Sequence, residues 1–240
     1  MTTGDFERYA RARPFFGLRS GTNRFISEAF AEASAGTFLE VGAGDGWHLR
    51  ELIDQGSLRG FHDLYASDLA EARCSRIKLL VPEASVFAST AERLPVASAS
   101  IDVYYSDQVI EHVADDHAMA VELCRVLKER GRAVVGSVIK GRGAWYFRRN
   151  NGHWRLDATH VREYASLAAF ERVFAEAGLS VVRSMAVPLS FSLRDLATRL
   201  ALVTTLVRED GAATFRGRLP EVTIPIPRYA LCYATLRKSG

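Results

Sequence analysis

The chain has 240 residues, 31 of them Lys or Arg and 28 Asp or Glu, for a formal net charge of +3, with 48% hydrophobic and 25% charged residues. That composition excludes a disordered polyelectrolyte, and the length suffices for one α/β domain with a full core. The charge is uneven: residues 140–164 hold Lys140, Arg142, Arg148, Arg149, Arg155 and Arg162 against Asp157 and Glu163, which implies a local site for an acidic or polar partner rather than a surface that coats nucleic acid throughout.

Met1–Arg13 carries Asp5, Glu7, Arg8, Arg11 and Arg13 and lacks an apolar run, so no signal peptide is expected. Short β-rich runs then recur at Thr37–Gly42, Asp63–Asp68, Ser85–Ser89, Ile101–Ser106, Arg132–Ile139, Leu179–Val187 and Arg228–Leu236. Helical patterns fall between them. Trp47–Gln55 follows the first run and Leu69–Leu80 the second. Asp116–Glu129 has an acidic start and an apolar stripe of Met119, Leu123, Val126 and Leu127. Leu167–Ala177 is capped by Ser166 and stopped by Gly178.

Strand–helix alternation predicts an α/β, Rossmann-like, seven-stranded, mostly parallel sheet with helices on both faces. The last two strands lack that rhythm. Their connection carries Leu193, Leu196, Leu200, Val203 and Val207 in helical step, then Pro220–Pro227, so a C-terminal antiparallel hairpin is expected. Leu196–Val207 is interrupted by Arg199 and is too short to cross about 30 Å of hydrocarbon, so no transmembrane segment is predicted. Cys74, Cys124 and Cys232 form no CxxC and read as reduced core residues of a cytoplasmic protein.

The first strand ends in Glu40-Val41-Gly42-Ala43-Gly44-Asp45-Gly46. Alternate glycines allow a sharp turn and let a ligand touch the backbone at a helix N-terminus. A dinucleotide fingerprint needs a third glycine at position 47, where Trp47 stands, and no Gly-Lys-Ser/Thr follows for a phosphate loop. Asp68, at the end of the second strand, is placed to accept ribose hydroxyls.

The loop resembles motif I of class I S-adenosylmethionine-dependent methyltransferases, an acidic residue followed by GxGxG: Glu40, Gly42, Gly44 and Gly46. Further stretches are similar to the same family in order. They are Ala91-Glu92-Arg93-Leu94-Pro95, Ile101-Asp102-Val103, Val109-Ile110-Glu111-His112-Val113, Arg125-Val126-Leu127-Lys128, His160-Val161-Arg162-Glu163-Tyr164 and Ala177-Gly178-Leu179. The resemblance covers about residues 37–186, within the small-molecule "methyltransferase type 11"-like branch. It implies a cofactor site of Glu40, Gly42, Ala43, Gly44, Gly46, Asp68, Leu69, Ala91, Glu92 and Asp107 for S-adenosylmethionine, with S-adenosylhomocysteine as product.

In-line displacement on a sulfonium needs no metal; alignment of the acceptor lone pair behind the methyl carbon is worth roughly 7–11 kcal/mol. A hydroxyl acceptor also calls for a base, and His160 and His112 are the candidates. His153, Asp157 and His160 form a possible ligand trio, but they lie in a loop with no fixed face, and no metal site is expected. The stretch 141–164 interleaves aromatics with arginines, so Trp145, Arg148, Arg149, Trp154, Arg155 and Tyr164 are the candidate acceptor residues.

The absence of an Asn/Asp-Pro-Pro-aromatic motif after the fourth strand, where Ser106-Asp107-Gln108-Val109 stands, argues against nucleic acid. The expectation is a single cytoplasmic methyltransferase domain over 1–240, monomeric or homodimeric. Residues 1–36 form a helical cap with a helix at Asn23–Ala33, 37–139 bind the cofactor, 140–165 form an acceptor loop, and 166–240 carry an inserted helix at 193–208. The reaction expected is O-methylation of a small polar or anionic acceptor such as a sugar or biosynthetic intermediate. N- or C-methylation and a non-catalytic, cofactor-binding partner protein are the alternatives.

Overall fold

The structure, a computed structural model, describes residues 3–12, 35–144, 148–150, 153–157, 159–194, 197–198, 201, 204, 206, 212–220 and 222–239. In chain order these form α1 (Thr3–Ala12), β1 (Gly36–Val41), α2 (Trp47–Asp54), β2 (Phe61–Asp68), α3 (Glu71–Leu80), β3 (Ser85–Ala88), β4 (Ile101–Asp107), α4 (Asp116–Val126), β5 (Leu127–Lys140), β6 (Arg148–Asn150), β7 (His153–Arg155), α5 (Leu167–Glu176), β8 (Leu179–Ser192), α6 (Ala212–Gly217) and β9 (Thr223–Lys238).

Seven strands make one sheet in the order β3-β2-β1-β4-β5-β9-β8. The first five are parallel, and β9 runs antiparallel to both β5 and β8. The order reverses between β1 and β4, the switch point at which open α/β sheets bind ligands.

Central strands are apolar on both faces because each face is covered. Successive residues point to opposite sides, so Phe38 and Leu39, like Tyr104 and Tyr105, enter different layers. Leu39 and Tyr104 pack with Met119, Leu123, Phe170 and Phe174 under α4 and α5. Phe38 and Tyr105 pack with Leu49, Leu52 and Ile77 under α2 and α3. Each such side chain contributes about 1.5–3 kcal/mol relative to exposure.

Helix ends follow their caps. Asp115 accepts the Ala118 N–H at 2.9 Å to start α4, and Ser166 accepts that of Ala169 at 3.1 Å to start α5. Gly178 leaves α5 with φ +80°.

Several elements differ from the sequence expectation. The helix read as Asp116–Glu129 stops at Val126, because Leu127 is extended and pairs with Ile101 as the first residue of β5. The last two strands are longer than their apolar runs, since β8 reaches Ser192 and β9 starts at Thr223. Beyond the last β5 pair, Lys140 with Tyr229, β9 pairs only with β8; Pro225 and Pro227 sit there, where a missing N–H leaves no ladder bond unmade on the β5 side. The acceptor loop contains a β-hairpin, β6–β7.

The helix expected at Asn23–Ala33 lies outside the described residues. So does most of the helix expected over 193–208, whose residues 193–194, 197–198 and 201 are helical. Among the described residues no helix is long and apolar enough to cross a membrane.

Candidate functional site

The turn after β1 is held against β2. Gly42 and Ala43 donate to the Ser67 carbonyl at 2.8 and 2.9 Å, and Gly44 donates to Asp68 Oδ2 at 3.0 Å. Gly42 has φ +74°, and a Cβ there would run into the Val109 side chain. Gly44, at φ +60°, faces open space: a Cβ would meet nothing within 4 Å. Arg76 of α3 braces the turn, bonding Asp45 Oδ1 at 2.9 Å and the Ala10 carbonyl of α1 at 2.9 Å.

Asp68 also accepts the Ala70 N–H at 3.0 Å and lies 3.5 Å from Arg73. Burial raises its carboxyl above the usual aspartate range, against the pull of Arg73 and the two N–H donors. Each oxygen keeps lone-pair capacity toward a diol.

Glu40 is buried, with Oε1 3.3 Å from His48 Nδ1 and Oε2 without a hydrogen-bond partner among the described residues. A carboxylate oxygen left so is costly and calls for a cationic or donating ligand group. An open glycine, a diol acceptor and a buried anion thus line one end of the sheet, and they fit a nucleoside that carries an ammonium.

The other expected cofactor residues are more mixed. Ala91 is a core residue. Glu92 accepts the Ala114 N–H at 3.1 Å and so also anchors the loop after β4. Leu69 and Asp107 are partly buried at the ends of β2 and β4. Gly46 holds a left-handed cap at φ +85° before α2.

Beside this end, the loops after β4 and β5 bring Glu111, His112 and His160 together. One donor atom from each lies within 4.8 Å of the others. His112 and His160 meet edge to face at 4.8 Å between ring centroids, and Phe6 of α1 lies 6.2 Å from His112. Glu111 is fully buried and accepts the Ser137 hydroxyl at Oε2, 2.9 Å, while Oε1 has no hydrogen-bond partner among the described residues.

Burial pushes the Glu111 carboxyl up to about 7, opposed by the His160 charge. Burial, helped by that same charge, takes His112 down to about 4. His160 Nδ1 sits 2.9 Å from Glu163 Oε1. Burial alone would raise the Glu163 carboxyl, but bonds from His160 and the Leu156 N–H, with the charge of Lys140, hold it below the usual range.

The loops are tied together by backbone. Val161 N and Arg162 N donate to the Glu111 carbonyl at 2.9 and 3.2 Å. Arg162 donates to the carbonyls of Ile110, Val113 and Ala114 at 2.8, 2.7 and 2.8 Å.

The expected acceptor residues separate. Trp145 lies outside the described residues. Arg148, Arg149 and Trp154 stand on the β6–β7 hairpin, in register opposite Arg155, Trp154 and Arg149. Arg155 donates to the His160 carbonyl. Tyr164 turns into the core, donates its hydroxyl to Asp116 at 2.9 Å and packs on Phe170. Asp157 is engaged by Thr159 through N–H and hydroxyl, both at 2.8 Å.

Glu111, Thr159, Arg162 and Glu163 were not among the sequence candidates. The readable signal for Glu111 was a charge inside the apolar run Val109–Val113, and Asn151-Gly152 was the signal for the hairpin. A shallow depression of about 450 Å³ between α5 and β8, lined by Glu171, Arg172 and Ser180 among others, holds none of these groups.

Residues 39–135 match the family model described as a methyltransferase domain. The biotin biosynthesis bifunctional protein BioHC of Cellvibrio japonicus is 27% identical over 147 residues, 59% of this chain and 27% of that protein. The chain therefore spans about a quarter of the length of that curated relative. Among solved structures, the YcgJ protein of Bacillus subtilis superposes with a TM-score of 0.59 at 15% identity, covering 88% of this chain and 97% of that one. The geranyl diphosphate C-methyltransferase of Streptomyces coelicolor, in complex with Mg²⁺, geranyl diphosphate and S-adenosyl-L-homocysteine, gives 0.60 at 13% identity and 98% of both chains. The [4+2]-cyclase SpnF gives 0.63 at 13% identity, covering 99% of this chain and 93% of that one.

Proposed function

The chain carries a class I S-adenosylmethionine-dependent methyltransferase domain, and on that premise we propose that it methylates a hydroxyl oxygen of a small polar or anionic acceptor, such as a sugar or a biosynthetic intermediate. The observation that carries this reading is the convergence of His112, His160 and Glu111 at the carboxyl end of β4, next to the glycine turn. When bound, S-adenosylmethionine supplies an electrophilic methyl group on a sulfonium.

The residues suited to hold that cofactor are those at the sheet end. Gly44 would leave space for it, Asp68 would accept the ribose hydroxyls, the Glu40 oxygen would receive the ammonium, and Ala91 and Glu92 would serve the adenine. The protein's own chemical task is then acceptor placement and proton removal. An alcohol is a poor nucleophile while it keeps its proton, and a positioned base is worth about 10²–10⁴-fold. His160 is oriented by Glu163 through Nδ1, which leaves its other nitrogen as the one that would take the acceptor's proton. Arginines of the hairpin supply the charge that receives an anionic acceptor.

The test is methyl release with pools of hydroxyl-bearing acceptors. His160→Ala is expected to lower turnover with cofactor affinity nearly unchanged; unchanged turnover removes the base. Methylated amine or carbon products would favour the other transfer modes. Cofactor binding with no product from any pool would favour a non-transferring protein, a reading to which the cyclase of the same fold lends weight.

A further inference from the structure

One side-chain donor atom from each of Glu111, His112 and His160 lies within 4.8 Å of the others, and the hydrogen-bond network fixes which nitrogen of each imidazole is the acceptor. Thr159 has a single hydroxyl proton, and its Oγ1 lies 2.8 Å from Asp157 Oδ1, a pure acceptor. The hydroxyl therefore donates to Asp157. Its oxygen must accept from His112 Nδ1, 3.0 Å away. That places the His112 proton on Nδ1 and the lone pair on Nε2. The same logic holds for His160: Nδ1 donates to Glu163 Oε1 at 2.9 Å, leaving Nε2 as an acceptor. Glu111 Oε2 is taken by Ser137, and Oε1 is buried without a partner among the described residues.

We infer that Glu111 Oε1, His112 Nε2 and His160 Nε2 form a binding site for a divalent transition-metal cation. Two imidazoles and one carboxylate make a donor set that suits Zn²⁺, Fe²⁺, Mn²⁺ or Co²⁺, and three protein ligands leave positions open for exogenous oxygen. Carboxylate or hydroxyl partners on the far nitrogen of each ligating histidine are the arrangement metal sites use to fix ring tautomer and basicity. Here Glu163 serves His160, and Asp157 through Thr159 serves His112.

The donors lie within 4.8 Å of one another; bonds of about 2.0–2.2 Å require them to close by about 1 Å. His112 is only partly buried. The trio weighed on sequence grounds, His153, Asp157 and His160, shares only His160 with this site, because Asp157 acts one shell out, through Thr159.

The chemical role of the site rests on the proposed O-methylation; cation binding itself does not. A cation there binds the acceptor oxygen and lowers its proton affinity. The hydroxyl proton passes to solvent, the oxygen lone pair forms the new C–O bond as C–S breaks, and sulfur keeps the electron pair. With a cation bound, His160 Nε2 is a ligand; without it the same lone pair is the base of the proposed reaction, so cation and proton compete for it.

The experiment uses the full chain, stripped with a chelator and titrated with Co²⁺ followed by visible absorption, and with Zn²⁺ by calorimetry. One equivalent is expected to bind, with d–d bands of imidazole-ligated Co²⁺. His112→Ala, His160→Ala and Glu111→Gln should each weaken binding at least about 100-fold. Glu163→Gln keeps all three donors and should weaken it about 10–100-fold. His62→Ala, at an exposed imidazole, should change nothing. Retained S-adenosylhomocysteine affinity reports that each variant is folded.

No Co²⁺ binding at millimolar metal, or equal binding in His112→Ala and His160→Ala, overturns the inference. Full turnover in chelator with no bound metal overturns the cation's chemical role, while leaving O-methylation by His160 as base intact. Bound metal with no methylated hydroxyl product from any pool keeps the site and removes the proposed reaction.

Discussion

Glu163 Oε1 lies 2.9 Å from His160 Nδ1, and both side chains are only 4% exposed. A charged hydrogen bond between two buried groups is stronger than one at the surface and fixes the ring's tautomer and tilt. The second Glu163 oxygen accepts from Tyr229 at 3.1 Å and lies 3.4 Å from Lys140, so the carboxylate is itself held from β5 and β9. His160 thus sits on a loop but is aimed by the sheet.

Glu163→Gln should separate orientation from charge. The amide oxygen still accepts from Nδ1, but the imidazolium loses its counter-charge. Steady-state kinetics are expected to show turnover down about 10–100-fold, with cofactor affinity unchanged and acceptor KM within a few-fold. Glu163→Ala should cost more. Equal losses in cofactor affinity and turnover would point to a purely structural carboxylate.

Arg162 should matter as a clamp on the loop that carries Glu111 and His112. Its guanidinium donates to the carbonyls of Ile110, Val113 and Ala114. Lysine cannot reproduce that planar fork, and carbonyls left unsatisfied cost about 1–3 kcal/mol each when buried. Denaturant unfolding of Arg162→Lys should show a loss of about 2–4 kcal/mol, with turnover falling further than that loss of folded fraction explains.

The two glycines of the turn should fail differently. Gly42→Ala adds a Cβ that strikes Val109 at a positive φ, so unfolding midpoints should drop, and Val109→Ala should restore part of the loss. Gly44→Ala carries only the left-handed strain, about 1–2 kcal/mol, because space around it is open. Its methyl group enters the region assigned to the cofactor. Calorimetry with S-adenosylhomocysteine should show affinity down at least about 10-fold while the fold survives.

Stability should depend on pH through Glu122. Arg125 grips it with bonds of 2.7 and 2.8 Å, and the Leu94 N–H adds one of 2.6 Å. These bonds, Arg125 first, hold its carboxyl below the ordinary glutamate range. A depressed carboxylate contributes stability above its unfolded value, near 4.3, and that contribution disappears as pH falls through the folded value. Glu122→Gln should therefore destabilise by about 1–3 kcal/mol at pH 7. The difference from the unsubstituted protein should shrink in melts as pH falls below about 4.3.

Neutralising Arg148 or Arg149 should change acceptor affinity more than cofactor affinity. The cofactor is cationic at sulfur and gains nothing from these charges. A larger loss in S-adenosylhomocysteine binding would reverse that division of labour.

The β-runs and their order were legible because a strand buried on both faces leaves an apolar signature in local sequence, as at Phe38–Val41 and Val103–Tyr105. The glycine turn was legible because positive φ at Gly42, Gly44 and Gly46 restricts residue type. Ser166 and Gly178 marked the ends of α5 for similarly local reasons. Boundaries failed where a long-range partner overrode propensity: Leu127 left the helix because Ile101 offered a ladder position. Tyr164 read as an acceptor aromatic from its neighbours in sequence, yet Asp116 and Phe170, both distant in sequence, draw it into the core.

The sequence by itself determined the alternating α/β architecture, the glycine turn with Glu40 and Asp68 beside it, and the presence of His112 after the fourth strand and His160 in the loop before α5. Each is written in local pattern and residue type. Only the tertiary structure decided which donors meet. Glu111 and His160 are separated by 49 positions and become neighbours because β4 and β5 are adjacent and parallel, which puts the loops after both on the same edge. The partners Thr159 and Glu163 then settle which nitrogen of each imidazole carries its proton, and hydrogen-bond geometry of that kind leaves no trace in residue spacing.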